Sequence, residues 1–443
     1  MKIHMVNLGC ARNLVDGELM MGGLQRSGLE LTDTPEDADA IVVNTCSFIE
    51  AAADESIDTI LELSALKKTG RCRRLVVAGC LPERYRDDIH AALPEVDVFL
   101  GTGAYDRIID AVRGDVPLDK GACFPDPDRF QAGLFEADRP ITTGHVAYVK
   151  ITEGCDRHCT YCIIPRLRGR QRSRPAASLC AEARALVEKG ARELILVGQE
   201  TTRYGSDLPS GETLAALLVA MAGQCPEAWI RTLYGHPESL GEDAIEAIAS
   251  HSNLCSYFDI PIQHASDSVL KRMGRRYTGR DVVAMAARIR GKIPDAALRT
   301  TVIVGFPGET EADFRALESL VETVRFHHLG VFAYSDADDL PSHRLPDPVE
   351  SAVAEERRER LMTLQKRISE TINEGYLDRQ LSVMVDEFSE PGLYIGRTAF
   401  QAPEVDGLTY VHTPPDSQPW RPGDIVDVTI TDTLEYDLIG EAR

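Results

Sequence analysis

The runs AIVVNTC (40–46) and RLVVAGC (74–80) do not alternate apolar with polar residues; each is almost continuous Val, Ile, Leu or Ala and each ends in cysteine. Strands that read this way are buried on both faces, which is the pattern of a parallel sheet covered by helices. IHMVNLG (3–9) and VDVFLG (96–101) flank them, with helical patterns between. Residues 1–122 are therefore expected to form a small doubly wound parallel α/β domain. The stretch 123–144, CFPDPDRFQAGLFEADRPITTG, is rich in Pro, Asp and Gly without helical period and reads as a linker.

From residue 145 the alternation restarts. HVAYVKIT (145–152), RELILVGQ (192–199), WIRTLYG (229–235), YFDIPIQ (257–263), LRTTVIVGF (298–306) and LGVFAYS (329–335) are six candidate strands with helices between them. A closed barrel of eight units takes about 250 residues, so six units predict a partial (β/α)6 barrel. Its domain spans 145–376 and ends in a charged helix (348–376) whose Leu361, Leu364, Ile368 and Ile372 form one apolar stripe. Residues 377–443 hold short β-rich runs broken by Gly and Pro, as in a small antiparallel β-barrel. The fold class is α/β, in three domains.

The 48 basic residues face 70 acidic ones, a net charge of −22. Such a field repels phosphate backbones and argues against DNA as a partner. No apolar run is long enough to span a bilayer, and the start MKIHMVNLGCARN lacks the apolar core of a signal peptide, so a cytoplasmic protein is expected. In a reducing compartment, eleven cysteines point to metal binding or redox chemistry before disulfides.

Cys155, Cys159 and Cys162 form C-x3-C-x2-C directly after the first barrel strand, at the end where barrel enzymes gather their chemistry. Soft thiolates at this spacing suit an iron–sulfur cluster or zinc. Structural zinc wants four ligands, whereas a cluster held by three thiolates keeps one iron open. Cys10, Cys46 and Cys80 each fall at the carboxyl end of a predicted parallel strand, where open α/β sheets bind ligands. They form a second candidate three-thiolate site, or are small core residues. Cys72, Cys123, Cys180, Cys225 and Cys255 share no readable spacing and read as structural filler.

The cysteine motif behind the first strand of a partial barrel resembles the radical S-adenosylmethionine superfamily. NLGC, NTCSFIEAA and AGCLPER, together with CTYCIIPRLRGRQRSRP, resemble its methylthiotransferase branch, over essentially the whole chain. The resemblance implies two 4Fe–4S clusters. One, on Cys155, Cys159 and Cys162, binds S-adenosylmethionine at its open iron and supplies an electron that yields a 5′-deoxyadenosyl radical. The other, on Cys10, Cys46 and Cys80, carries the sulfur that is inserted and methylated. The outcome is C–H replaced by C–S–CH3, with an electron donor of flavodoxin or ferredoxin type and a possible sulfur donor as partners. No acid–base dyad is required, and no catalytic side chain is assigned.

Candidate cofactor contacts come from the strand ends LVGQET (196–201), DIPIQHAS (259–266) and TVIVGFPGET (301–310). Gln263 is a polar group at such an end, and Gly305 and Gly308 would permit close backbone approach to a ligand. Arg166, Arg168, Arg170, Arg172 and Arg174 could grip a carboxylate, meet phosphates, or pair with the protein's own acids.

Within the resembled branch, one class modifies adenosines of transfer RNA and the other the β-carbon of an aspartate in small-subunit ribosomal protein S-twelve. The C-terminal barrel resembles a TRAM domain, yet residues 378–443 contain 13 acids against 4 arginines, a net of −9. That charge disfavours RNA and attracts a basic ribosomal protein. GRTAFQAPEVDGLTYV (396–411) also resembles the ribosomal-protein class, which is the expectation carried forward. A non-catalytic iron–sulfur carrier would explain both cysteine trios but not the cofactor-like strand ends. One departure is FAYSDADDLPSH (332–343), an acidic, glycine-free run where the branch more often shows FxYSxExGTxA.

Overall fold

The computed structural model describes residues 1–114, 121–129, 139–414 and 419–442. The N-terminal sheet is all parallel, in the order Glu30–Leu31, Lys2–Asn7, Ala40–Thr45, Arg74–Gly79, Val98–Leu100, Ala122–Cys123. One apolar cluster covers each face: Val42, Val76 and Leu100 with Met20, Leu24 and Ile108, and Val43, Val77 and Phe99 with Ala53, Ile60 and Leu81. Cys123 belongs to this sheet rather than to the expected linker. Its carbonyl accepts from Gly101 N at 2.9 Å, so the two-residue strand satisfies an otherwise open sheet edge. Residues 130–138 of that linker lie outside the described residues.

The six predicted barrel strands are Val146–Lys150, Glu193–Val197, Trp229–Thr232, Tyr257–Asp259, Ala297–Val304 and His328–Ala333. They form two parallel three-stranded sheets, joined through a bridge between Ile230 and Leu254. The long helix Ser351–Glu374 lays Leu361, Leu364 and Ile368 on the outer core, as its apolar stripe predicts.

Six strands leave the inner face of the wall incompletely covered, and neighbouring domains fill it. Val15 and Leu19 of helix Ala11–Arg26, with Met384 and Ala402 of the C-terminal domain, pack against Tyr148, Ile195, Val197, Trp229, Leu233 and Tyr257. Buried charges fix this helix in place. Asp16 is shared by Lys150 and by Arg168 at 2.5 Å, both of which also meet Glu153. Glu18 pairs with Arg139 and accepts from Thr142, and Arg139 reaches Glu182 at 2.7 Å.

The C-terminal domain is a closed five-stranded barrel in the order Gln380–Glu390, Leu393–Thr398, Thr409–His412, Leu438–Ala442, Ile425–Thr433. The expectation of an all-antiparallel barrel is corrected at one seam, where Thr409–His412 and Leu438–Ala442 run parallel. Strand directions cannot alternate all the way round a ring of odd number, so one parallel pair is unavoidable. This barrel docks through Arg397, which bridges Asp386 and Glu193 at 2.8 Å each, while Arg231 meets Glu193 at 2.7 Å. Asp406 accepts from Tyr257 Oη at 2.6 Å and lies 3.3 Å from Arg299.

These networks make two predictions. Asp16→Ala leaves Lys150 and Arg168 with Glu153 as their common acid and should lower apo-protein stability by about 3 kcal/mol, read from urea unfolding. Glu193 and Asp386 are both held below the usual carboxylate range. Burial would raise them, but Arg231 and Arg397 outweigh it for Glu193, and His145 and Arg397 outweigh it for Asp386. A carboxyl depressed in the folded state stabilises above its ordinary pKa, and that stabilisation is lost as pH falls through the folded value. The C-terminal barrel should therefore loosen below about pH 4. Trp229 sits in the interface, so in a Trp420→Phe background its emission should shift red there, and Arg397→Met should shift it already at neutral pH.

Candidate active site between the barrel and the N-terminal domain

Cys155, Cys159 and Cys162 sit on the loop after Thr152–Glu153, a short strand that pairs antiparallel with Arg172–Ser173 and so ties the two ends of the loop together. Cys155 N donates to Gly169 O at 3.0 Å, Thr160 N to Met273 O at 3.1 Å and Cys162 N to Cys159 O at 3.1 Å. Gly154 turns the chain at φ +75°, and a Cβ there would lie 2.0 Å from Arg170 O. The three thiols thus stand on a loop held by backbone bonds at several points. Burial pushes Cys155 up to about 11 and Cys162 up to about 12. Coordination to metal reverses this by taking the thiolate.

The other trio converges as expected at the carboxyl ends of Lys2–Asn7, Ala40–Thr45 and Arg74–Gly79. Gly9, at φ +88°, allows the close approach: a Cβ on it would stand 2.5 Å from Cys46 Cβ and 3.0 Å from Cys46 Sγ. Asn13 ties the strand ends together, its amide donating to Leu8 O at 3.1 Å and Thr45 O at 2.7 Å. Cations reach two of the sulfurs: Arg12 Nε is 3.4 Å from Cys10 Sγ and Arg168 Nη2 is 3.5 Å from Cys80 Sγ. Burial opposes ionisation of Cys10, but Arg12 and then Arg168 bring it down to about 7; Cys80, whose burial Arg168 only partly offsets, stays up at about 11. Cys80 packs against Ile163 and Leu167, so the trio abuts the residues that follow Cys162.

Among the described residues no three His, Cys, Asp or Glu side chains close tightly enough to share one metal ion. The chemistry of the donors, three soft thiols on one loop and three at neighbouring strand ends, is of the kind that iron–sulfur clusters take.

One cavity lies beside the barrel cysteines and reaches the N-terminal domain. Its wall takes Cys155, Cys159 and Cys162 from the barrel, Arg12 and Phe48, each two residues past a cysteine of the N-terminal trio, Gln199, Glu200, Tyr234, His236 and Gln263 from beyond barrel strand ends, and Arg275 from the turn between two barrel helices. Tyr234 and Gln263 adopt φ of +61° and +64°, strained for residues other than glycine and typical of chain held for function. Gln263 is fixed by bonds from its N to Thr301 O and from Ile303 N to its carbonyl, at 2.9 and 2.8 Å. Gln199 Oε1 and His236 Nε2 are buried without a hydrogen-bond partner among the described residues, one an acceptor and the other a ring nitrogen. Burial and nearby Arg275, Arg157 and Arg203 push His236 down to about 2, so it is neutral, and its Nδ1 already accepts from Glu238 N at 3.2 Å. Its Nε2 is then a free donor. A free donor and a free acceptor in one wall fit a ligand that carries amino, hydroxyl and carboxylate groups, as S-adenosylmethionine does.

Gly305 and Gly308, read from sequence as approach points for a ligand, are packed on their Cβ side by the protein's own side chains. The space at Gly305 is taken by Ala354 of the long helix, with a Cβ placed 2.3 Å from Ala354 Cβ. The space at Gly308 is taken by the Arg272 guanidinium. Neither residue is among those that line the cavity. The arginine run is also resolved. Arg166 lies 3.3 Å from Asp339, Arg168 meets Asp16 and Glu153, Arg172 lies 3.0 Å from Asp128, and Arg174 lies 2.6 Å from Glu182. These four pair with the protein's own acids. Sequence reasoning missed Arg12, Tyr234, His236 and Arg275, which belong to no motif and meet only in three dimensions.

Comparison with known proteins agrees with this division. Residues 2–101 match the family described as "Uncharacterized protein family UPF0004", residues 149–321 the radical SAM superfamily, and residues 379–442 the TRAM domain. A protein of Desulfosudis oleivorans named "Ribosomal protein uS12 methylthiotransferase RimO" is 51% identical over 443 residues, covering 100% of both chains. Proteins with the same name from Geobacter sulfurreducens (46% identical, covering 99% of this chain and 98% of the relative) and Clostridioides difficile (44%, covering 100% and 98%) align similarly. Among solved structures, the radical S-adenosylmethionine methyltransferase TsrM from Kitasatospora setae, with cobalamin and a [4Fe-4S] cluster bound, shares the fold. Its TM-score is 0.58 at 15% identity, over 77% of each chain. With relatives this similar along its entire length, the chain belongs to the RimO family of radical S-adenosylmethionine proteins.

Proposed function

We propose that this chain inserts sulfur and a methyl group at the β-carbon of an aspartate in ribosomal protein uS12, using two 4Fe–4S clusters and S-adenosylmethionine. One observation carries the reading: Cys155, Cys159 and Cys162 share a cavity wall with Arg12 and Phe48, which neighbour Cys10 and Cys46 in the chain. The full-length likeness to proteins named for this activity supports it, as does the net −9 of the C-terminal barrel, which suits a basic protein substrate better than RNA.

When bound, the clusters and S-adenosylmethionine supply an electron, a hydrogen-abstracting carbon radical, and the sulfur and methyl to be transferred; the protein supplies binding and geometry. Cys155, Cys159 and Cys162 would hold the cluster that meets S-adenosylmethionine. Gln199 Oε1, His236 Nε2 and Gln263 would meet the polar groups of that cofactor. Cys10, Cys46 and Cys80 would hold the other cluster, with Arg12 and Arg168 offsetting thiolate charge. Phe48 is 44% exposed at the mouth, placed to cover an entering substrate segment and keep water from the radical. A flavodoxin- or ferredoxin-type donor would supply electrons, and a sulfur donor would replenish the inserted atom.

Incubated anaerobically with uS12, reductant and S-adenosylmethionine, the enzyme should add one methylthio group to uS12, read by mass spectrometry. Modification of transfer RNA with uS12 untouched would overturn the assignment. Replacing Cys10, Cys46 and Cys80 together by alanine should halve the bound iron and sulfide and abolish sulfur insertion, while S-adenosylmethionine is still cleaved to 5′-deoxyadenosine. Full iron content in that variant would refute the two-cluster reading.

A further inference from the structure

Three guanidinium groups line the cavity, and they are not equivalent. Arg157 is neutralised by Glu200, at 2.8 and 2.9 Å, and by Glu238 at 2.6 Å. Arg275 donates to the Tyr161 hydroxyl at 3.1 and 2.5 Å and stacks near Tyr161 and Tyr277. Arg12 donates from Nε to Cys10 Sγ at 3.4 Å and from Nη1 to Gly198 O at 3.0 Å, with the Tyr234 ring 4.5 Å from its central carbon. Among the described residues neither Arg12 nor Arg275 makes an ion pair with a carboxylate, whereas Arg157 makes two.

Beyond the Cys10 thiol and the Tyr161 hydroxyl that they contact, these two cations have no carboxylate partner among the described residues, so the wall suits an anion. Arg275 stands at the end beside Tyr161 and Cys159. Arg12 stands at the other end, two residues from Cys10, with its Nη2 hydrogens and one Nη1 hydrogen uncommitted among the described residues. Those hydrogens suit a carboxylate, the anion that guanidinium matches best.

We propose that Arg12 binds the carboxylate of the target aspartate and sets the preference for aspartate over its amide. The proposal rests on the methylthio-transfer reading above. The β-carbon that receives sulfur is bonded directly to the side-chain carboxylate carbon. That carbon must meet both the hydrogen-abstracting radical and the delivered sulfur, so its carboxylate lies between the two cysteine sets, within reach of a cation that lines the cavity beside Cys10. Arg12 is the cavity cation in contact with a sulfur of that trio. It holds the substrate by charge and by direction, and places the β-carbon between the two cysteine sets.

The test measures anaerobic binding of uS12, and of uS12 with the target aspartate changed to asparagine, to cluster-loaded enzyme with S-adenosylmethionine present. Wild type should favour the aspartate protein by roughly 30-fold or more. Arg12→Met should bring the two substrates to within about threefold of each other, and Arg12→Lys should restore most of the preference. Iron content and the electron paramagnetic resonance of both clusters report whether each variant is intact. Undiminished discrimination in Arg12→Met would overturn the proposal. So would loss of S-adenosylmethionine affinity with discrimination retained, which would assign the guanidinium to the cofactor carboxylate. Failure of the underlying function would look different, because wild type would then leave uS12 unmodified.

Discussion

The buried carboxylate of Asp16 is the contact on which the arrangement turns. It lies on the helix that begins at Cys10 and is shared by Lys150, at the end of the first barrel strand, and Arg168, which follows the second cysteine motif. Charges removed from water must find partners of good geometry or be expelled. Asp16 meets that demand across a domain boundary, so the N-terminal domain cannot rotate on the barrel without leaving Lys150 and Arg168 to share the single carboxylate of Glu153. The two cysteine sets are thereby held in one relation. The proposed reaction, with a radical formed at one set and sulfur held at the other, would need that rigidity, since misplacement by an ångström costs orders of magnitude in rate.

The same economy of charge explains why a run of five arginines sits in a protein of net charge −22. Global charge sets long-range attraction and local pairing sets structure, and the two need not agree. Arg168 and Arg174 are buried against Asp16 and Glu182, while Arg166 and Arg172 meet Asp339 and Asp128 nearer the surface. Little of the run remains to bind a nucleic acid. Deeper in, Arg12 and Arg275 line the cavity with no carboxylate ion pair among the described residues.

Strand positions were legible because strands buried on both faces leave uninterrupted apolar runs, and the six barrel strands occupy those runs. The cysteines were legible because strand ends are where such folds bind ligands, which placed Cys10, Cys46 and Cys80 together without any shared local spacing. The surroundings of Gly305 and Gly308 were not legible: a glycine in sequence allows close approach, and the sequence cannot say that Ala354 and Arg272 occupy the Cβ side of these two. Cys123 was hidden because a two-residue edge strand carries too little pattern to register. Arg12 and Tyr234 were hidden because their meaning is mutual: residues distant in sequence meet only when the first helix enters the unfinished barrel.

The acidic run that departs from the usual pattern of the branch finds its reason in the same boundary. Asp339 accepts from Arg84 Nε at 2.9 Å and Nη2 at 2.6 Å, a two-pronged contact, and also lies 3.3 Å from Arg166. Arg84 belongs to the helix Cys80–Tyr85, and its Nη1 reaches back to Ser47 O at 2.6 Å, beside Cys46. The carboxylate thus ties the loop after the last barrel strand to two of the three strand ends that bear the N-terminal cysteines. A glycine at that position would leave Arg84, 8% exposed, without its acid and the Cys80 helix with one fewer anchor. Asp16 fixes the entering helix from inside the barrel, and Asp339 fixes the neighbouring helix from its rim, so the N-terminal cysteine set is braced against the barrel set at two separated points rather than hinged at one.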